Sequence, residues 1–179
     1  AQDGVIRIAL LEGRLDRIEL LWPKSLPVEQ KVVEQYLEQI KPGEVLMSRD
    51  VERMVFLLND LRGISAEFEV VPGARPGTAR LIVRPKMVPR LSWSVELDNA
   101  NSEDLGKYRV NGTVSYASPL SRGDSASATL VASEGLAFGL ASYTLPLNHT
   151  GLRVGATASA LQYKVVKGAF AGEGIRGTA

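Results

Sequence analysis

The chain has 179 residues, enough for one ordinary domain or two small ones, and 45% of them are hydrophobic, so a packed core is within reach. Its 21 basic and 20 acidic residues leave a net charge of +1, which excludes the field needed to draw in nucleic acid and any polybasic membrane patch. With no cysteine there is no disulfide framework, no thiolate metal site and no cysteine nucleophile.

Residues Ala1 to Gly4 lack the basic region and apolar core of a signal peptide, and the chain reads as a piece of something longer. Val5 to Leu11 (VIRIALL) and Leu15 to Leu21 (LDRIELL) are apolar, β-branched stretches split by Glu12, Gly13 and Arg14, which predicts two strands joined by a tight turn. Pro23 ends the second. From Val28 to Ile40, Val28, Val32, Val33, Tyr36, Leu37 and Ile40 recur at three- and four-residue spacing, predicting an amphipathic helix that stops at Pro42 and Gly43. Ser48 is the expected N-cap of a second helix, its hydroxyl accepting from the free amides of the first turn. Val51, Met54, Val55, Leu58 and Leu61 form the buried stripe of that helix, and Gly63 closes it. Ser65 to Val71 and Thr78 to Arg84 then read as strands around the loop from Pro72 to Gly77, which completes an α+β order of strand, helix, helix, strand, strand.

Pro85 and Pro89 bracket a connector, and a domain boundary is expected there because helical spacing vanishes beyond it. Five strands are predicted: Arg90 to Asp98, Lys107 to Ala117, Ser125 to Ser133, Leu136 to Leu145 and Leu152 to Tyr163. In the second, Tyr108, Val110, Gly112, Val114 and Tyr116 face one way and Arg109, Asn111, Thr113 and Ser115 the other. Likewise Leu91, Trp93, Val95 and Leu97 oppose Ser92, Ser94, Glu96 and Asp98, and Leu152, Val154, Ala156, Ala158 and Ala160 oppose Arg153, Gly155, Thr157 and Ser159. No run of about 18 apolar residues predicts a transmembrane helix, but a barrel escapes that test because only alternate residues of each strand face lipid. The compact connections Pro119 to Asp124 and Pro146 to Gly151 fit a periplasmic rim; on the other side Asn99 to Gly106 is long and polar, with Ser133 to Gly135 a short exception. A soluble β-sandwich shows the same alternation. Composition favours the barrel, because the stripes carry Ala126, Ala128, Ala156, Ala158 and Ala160 opposite uniformly small polar residues, which suits a wet lumen better than a filled core.

In order along the chain, Asp3 to Ile8 with Glu12-Gly13 and Ile18, Pro42-Gly43-Glu44-Val45-Leu46, Leu57 to Gly63 (LLNDLRG), Pro72-Gly73 and Pro76-Gly77 are followed by Leu97-Asp98-Asn99, Gly106-Lys107-Tyr108-Arg109, Ser118-Pro119-Leu120, Gly123-Asp124, Tyr143 to Leu147 and Tyr163. This ordered series resembles the outer-membrane transporters of two-partner secretion (TpsB type), relatives of the BamA barrel-assembly proteins. The resemblance implies that residues 1–13 end a preceding POTRA domain, that 14–85 form an α+β POTRA-like domain (β-α-α-β-β), and that 90–179 are the first antiparallel strands of an incomplete transmembrane β-barrel. It implies a bacterial outer-membrane protein whose POTRA domain, in the periplasm, captures an unfolded secreted exoprotein that then crosses the barrel without nucleotide. It also implies further strands and a lumenal loop with an arginine-bearing tip beyond Ala179. Five strands and the start of a sixth do not close, and an open edge in hydrocarbon leaves backbone groups unpaired, so this stretch alone is not expected to transport anything.

A three-stranded mixed sheet under two helices independently leaves an edge that can accept an extended guest. That edge is placed at Ser65, Ala66, Glu67, Phe68, Glu69, Val70 and Val71, with the side chains of Phe68 and Val70 read as core. No catalytic constellation accompanies it: there is no Gly-x-Ser-x-Gly elbow, and the single histidine, His149, sits in a turn. Asp98, Glu103 and Asp104 read as a solvated loop rather than a calcium site, and no cofactor or metal is expected. The rival readings are a BamA-like assembly factor, a soluble interaction module with a β-sandwich, and a lipid-modifying barrel enzyme.

Overall fold

In the computed structural model, which describes residues 13–179, Arg14–Leu20 is the first strand, β1. The expected strand Val5 to Leu11 lies outside the described residues, as does nearly all of the 1–13 segment. The register of β1 shifts between Leu15 and Arg17. The extra residue, Asp16, resets the two-residue alternation, so that Leu15 and Ile18, three apart, both pack into the core. Helix α1 (Gln30–Leu37) buries Val33, Tyr36 and Leu37, and α2 (Ser48–Asn59) buries Met54 and Leu58, as their three- and four-residue spacings require. Strands β2 (Ile64–Pro72) and β3 (Thr78–Met87) complete a three-stranded sheet of order β1-β3-β2, with β1 parallel and β2 antiparallel to β3. Leu15, Leu81, Val83, Ile64 and Ala66 from the sheet meet Val33, Leu37, Met54 and Leu58 from the helices in a single core cluster.

Three local expectations change. Helix α1 starts at Gln30 because the Glu29 amide donates to the Ser121 carbonyl at 2.8 Å, holding Glu29 extended; Val28 is buried outside the helix. The N-cap of α2 is Met47, whose carbonyl accepts from Asp50 and Val51, so Ser48 is the first helical residue and its side chain makes no cap bond. Strand β3 runs through Pro85 to Met87 instead of ending at Arg84. Pro85 sits opposite Ala66 and past Val83, the last β3 residue paired with β1, so its missing N–H falls where no neighbour needs it.

The second half is a meander: β4 (Leu91–Asp98), β5 (Arg109–Ala117), β6 (Ser125–Ser133), β7 (Leu136–Pro146), β8 (Arg153–Lys164) and the short β9 (Arg176–Thr178) pair antiparallel in sequence order in one six-stranded sheet. The sandwich alternative fails here. Among the described residues no second layer covers this sheet, every residue of the apolar core lies at or before Val83, and Leu97, Trp93 and Leu130 are 77%, 73% and 68% exposed.

Candidate functional site

Strand register turns the alternation of single strands into rows that run across the sheet. On one face the rows are Leu91-Tyr116-Ala126-Tyr143-Ala156, Trp93-Val114-Ala128-Ala141-Ala158, Val95-Gly112-Leu130-Gly139-Ala160 and Leu97-Val110-Ala132-Ala137-Gln162. Apart from the Tyr hydroxyls and the Trp N–H, Gln162 is the one polar side chain in these rows. Tyr116 stands at one end of this face on β5, and Tyr108 immediately precedes the strand at its other end. Eight steps of about 3.4 Å put them about 27 Å apart along the strand, or about 21 Å at a tilt of about 40°, close to the height of an apolar band in a membrane barrel. Trp93 lies between these ends on the same face rather than at either rim.

The opposite face carries a row of hydroxyls, Ser92-Ser115-Ser127-Ser142-Thr157, in which Ser127 and Ser142 are hydrogen bonded at 2.7 Å. The next row is Ser94-Thr113-Thr129-Leu140-Ser159, with Thr113 and Thr129 joined at 3.2 Å. This face is not uniformly small and polar, as the sequence suggested, because Val131, Phe138 and Leu161 share a row on it and Leu136 pairs with Tyr163. The apolar patch lies at the end of the sheet away from the helices.

The α+β unit is fastened to the sheet at two turns. In the β5–β6 turn, Ser118 (φ 56°) and Ser121 (φ 60°) are left-handed, and Asp124 is fully buried. The Asp124 carboxylate accepts from the Leu120 amide at 3.1 Å, the Arg122 amide at 3.2 Å and the Tyr143 hydroxyl at 2.5 Å. The turn so fixed offers its carbonyls to the α+β unit: Glu29 donates to Ser121 at 2.8 Å and Arg62 to Gly123 at 3.1 Å. Gly123 (φ +74°) is required twice, by its dihedral and because a Cβ there would stand 2.6 Å from Leu61 Cδ2. At the β7–β8 turn, Tyr36 donates to the Asn148 carbonyl at 3.2 Å, Gln39 to the His149 carbonyl at 2.8 Å, and Arg153 pairs with Asp60 at 2.9 Å. Burial pushes the Tyr36 hydroxyl above the ordinary phenol range, with Arg153 pulling it back and Asp60 adding to the rise, so Tyr36 stays a donor at physiological pH. His149 is thus a turn residue held through its backbone. Asp98 is engaged by Arg109 at 3.0 Å, and Glu103 and Asp104 lie in a short 3-10 turn capped by Ser102. Sequence reasoning missed Asp124, Asp60 and Arg153 as junction residues; the Ser-Pro and Gly-Asp pairs of the 118–124 segment were the available signal for the first.

The edge residues Ser65 to Val71 all lie on β2, whose one sheet neighbour among the described residues is β3. The Val88 amide donates to Gly63 O at 3.1 Å and the Gly73 amide to Thr78 O at 2.9 Å, bracketing an unbroken register. Ser65, Glu67, Glu69 and Val71 therefore turn their backbone groups to β3, while Ala66, Phe68 and Val70 turn theirs outward. Phe68 packs partly against the core, whereas Val70 is 55% exposed rather than core.

No protein-family model matches the chain. It is similar to the heme/hemopexin transporter protein HuxB of Haemophilus influenzae, 25% identical over 167 residues that make up 92% of this chain and 29% of HuxB. It is also similar to the outer membrane transporter CdiB of Escherichia coli O6:K15:H31, 31% identical over 121 residues, 68% of this chain and 20% of that protein. The chain belongs with the two-partner secretion transporters. It spans less than a third of the length of these TpsB relatives, and its place is the bacterial outer membrane. In fold, the solved structure of CdiB from Escherichia coli matches with a TM-score of 0.65 at 24% identity, covering 87% of this chain and 29% of that one. That likeness extends across both the α+β unit and the antiparallel sheet, since it covers 87% of this chain.

Proposed function

We propose that residues 14–85 are a periplasmic POTRA-like domain that captures an unfolded exported polypeptide, and that residues 90–179 are the first strands of the pore wall it crosses. The observation that carries the reading is the pair of faces built by register: four apolar rows outside and a hydroxyl row inside one continuous sheet. An apolar outer face matches lipid and a hydroxylated inner face matches water. The relatives of matching sequence are named as transporters, which favours export of a dedicated partner over an enzymatic role. In the parent transporter, disruption of this region abolishes the appearance of the dedicated exoprotein in the medium while general outer-membrane protein levels hold. A general fall in barrel proteins instead would point to an assembly factor and defeat the proposal.

The capture edge has its own test. Val70→Pro deletes an outward N–H and leaves the ladder to β3 intact, so the protein folds and its affinity for an exported segment falls by about 0.5–1.5 kcal/mol, a several-fold rise in Kd. Glu69→Pro, one residue earlier, removes a donor facing β3 and unfolds the α+β unit. Unchanged binding by Val70→Pro in a fluorescence titration rules out β2 as the docking strand.

A further inference from the structure

The outward side of β2 is not uniformly open. Asn59, the last residue of α2, lays its side-chain amide against Ala66 as a neighbouring strand would: its Oδ1 accepts from the Ala66 amide at 2.7 Å and its Nδ2 donates to the Ala66 carbonyl at 3.2 Å. The same Nδ2 donates to the Val55 carbonyl at 3.0 Å, and Oδ1 accepts from the Ser65 hydroxyl at 3.2 Å. Both donors and both acceptor sites of the amide are used, and the backbone partners fix which atom is oxygen. At the other end, Pro72 has the same outward parity as Phe68 and Val70 and has no N–H to give. Between these two stops, Phe68 and Val70 bond to no other group outward among the described residues.

From this we infer that the docking edge is a window two residues long, closed at one end by Asn59 and at the other by Pro72, whose occupant is a short extended segment of the exported polypeptide. The inference rests on the capture reading above and adds its register and its length. The occupant is a peptide backbone because the window presents alternating donors and acceptors, and because the group already seated beside it is itself an amide. Side-chain chemistry follows from the two faces of β2. Towards the helices the guest meets Phe68, Val70 and the 73% exposed Phe56, which stands three residues before Asn59 on the same side of α2, so apolar side chains fit there. On the other face it meets Glu67 and Glu69, half exposed and already paired with Lys86 and Arg84, so basic or hydroxyl side chains fit. A segment alternating apolar with basic or hydroxyl residues satisfies both faces.

The test is residue-resolved amide hydrogen exchange on the full-length transporter in detergent, with an acetylated octapeptide of alternating valine and lysine as the probe. In the free protein the Ala66 amide exchanges slowly, and those of Phe68 and Val70 exchange fast. Peptide at ten times its Kd slows Phe68 and Val70 by about tenfold and leaves Ala66 unchanged. In Asn59→Ala the Ala66 amide is fast when free and slowed by peptide, so the window gains a residue. Asn59→Asp keeps the acceptor and therefore keeps Ala66 slow, which separates loss of the stop from loss of the fold. Protection of Phe68 and Val70 with no response of Ala66 to Asn59→Ala overturns the window but leaves capture at β2 standing. Peptide bound, by fluorescence anisotropy, without protection of either residue overturns capture at β2 itself.

Discussion

Leu130→Arg is expected to lower the stability of the membrane-inserted transporter by about 2–4 kcal/mol, the cost of an arginine facing lipid at the bilayer midplane. Leu130 lies opposite Gly112, and Gly112 lies midway in sequence between Tyr108, just before β5, and Tyr116 near its end, which sets its depth. The leucine also fills space that two glycines leave, since its row neighbours are Gly112 and Gly139 and a Cβ on Gly139 would stand 3.5 Å from its Cδ2. Thr129→Arg is the control. It is adjacent in sequence but on the hydroxylated face, and its expected cost is below about 1 kcal/mol because water reaches a lumenal guanidinium. Urea titration of the full-length protein folded into lipid vesicles reads both. Equal costs for the two variants would mean that the faces are not lipid and water, and the pore-wall assignment would be lost.

Asp124→Ala carries the second large effect, at the junction. The substitution leaves the Leu120 and Arg122 amides and the Tyr143 hydroxyl without their acceptor in a fully buried site. A loss of about 3 kcal/mol or more is expected from bonds to a charged acceptor, against about 1–2 kcal/mol for Tyr143→Phe, which removes one of them. The β5–β6 turn then no longer presents the Ser121 and Gly123 carbonyls to Glu29 and Arg62, so limited proteolysis is expected to cut near residues 118–124, leaving the α+β unit held to the sheet at the β7–β8 turn alone. Wild-type resistance to protease in Asp124→Ala would show that the turn is held by something other than this carboxylate.

Much of the fold was legible because its two periods are local. The three- and four-residue spacing of Val33, Tyr36 and Leu37, and the strict alternation of β4 and β5, are properties of a single segment and survive without knowledge of its neighbours. The features that sequence reasoning missed depend on a partner far along the chain. Glu29 is held out of α1 by Ser121, and Pro85 is tolerated because β1 has already ended. Asn59 was visible only as part of a helix end, since its role comes from Ala66, seven residues on and across a turn. The apolar patch of Val131, Phe138 and Leu161 was hidden for the same reason: each lies in a different strand, and only register gathers them. The edge at Ser65 to Val71 could be placed from the order of elements, whereas the outward parity of Phe68 and Val70 required the flanking bonds at Gly63 and Gly73.

The α+β unit grips both the β5–β6 and the β7–β8 turns, with Glu29 and Arg62 on one and Tyr36, Gln39 and Arg153 on the other. A body tied to a wall at one point can swivel, but tied at two it keeps one bearing. Thermal motion therefore changes the distance from β2 to the rim very little, so a guest docked as proposed above would start from the same spot and heading each time.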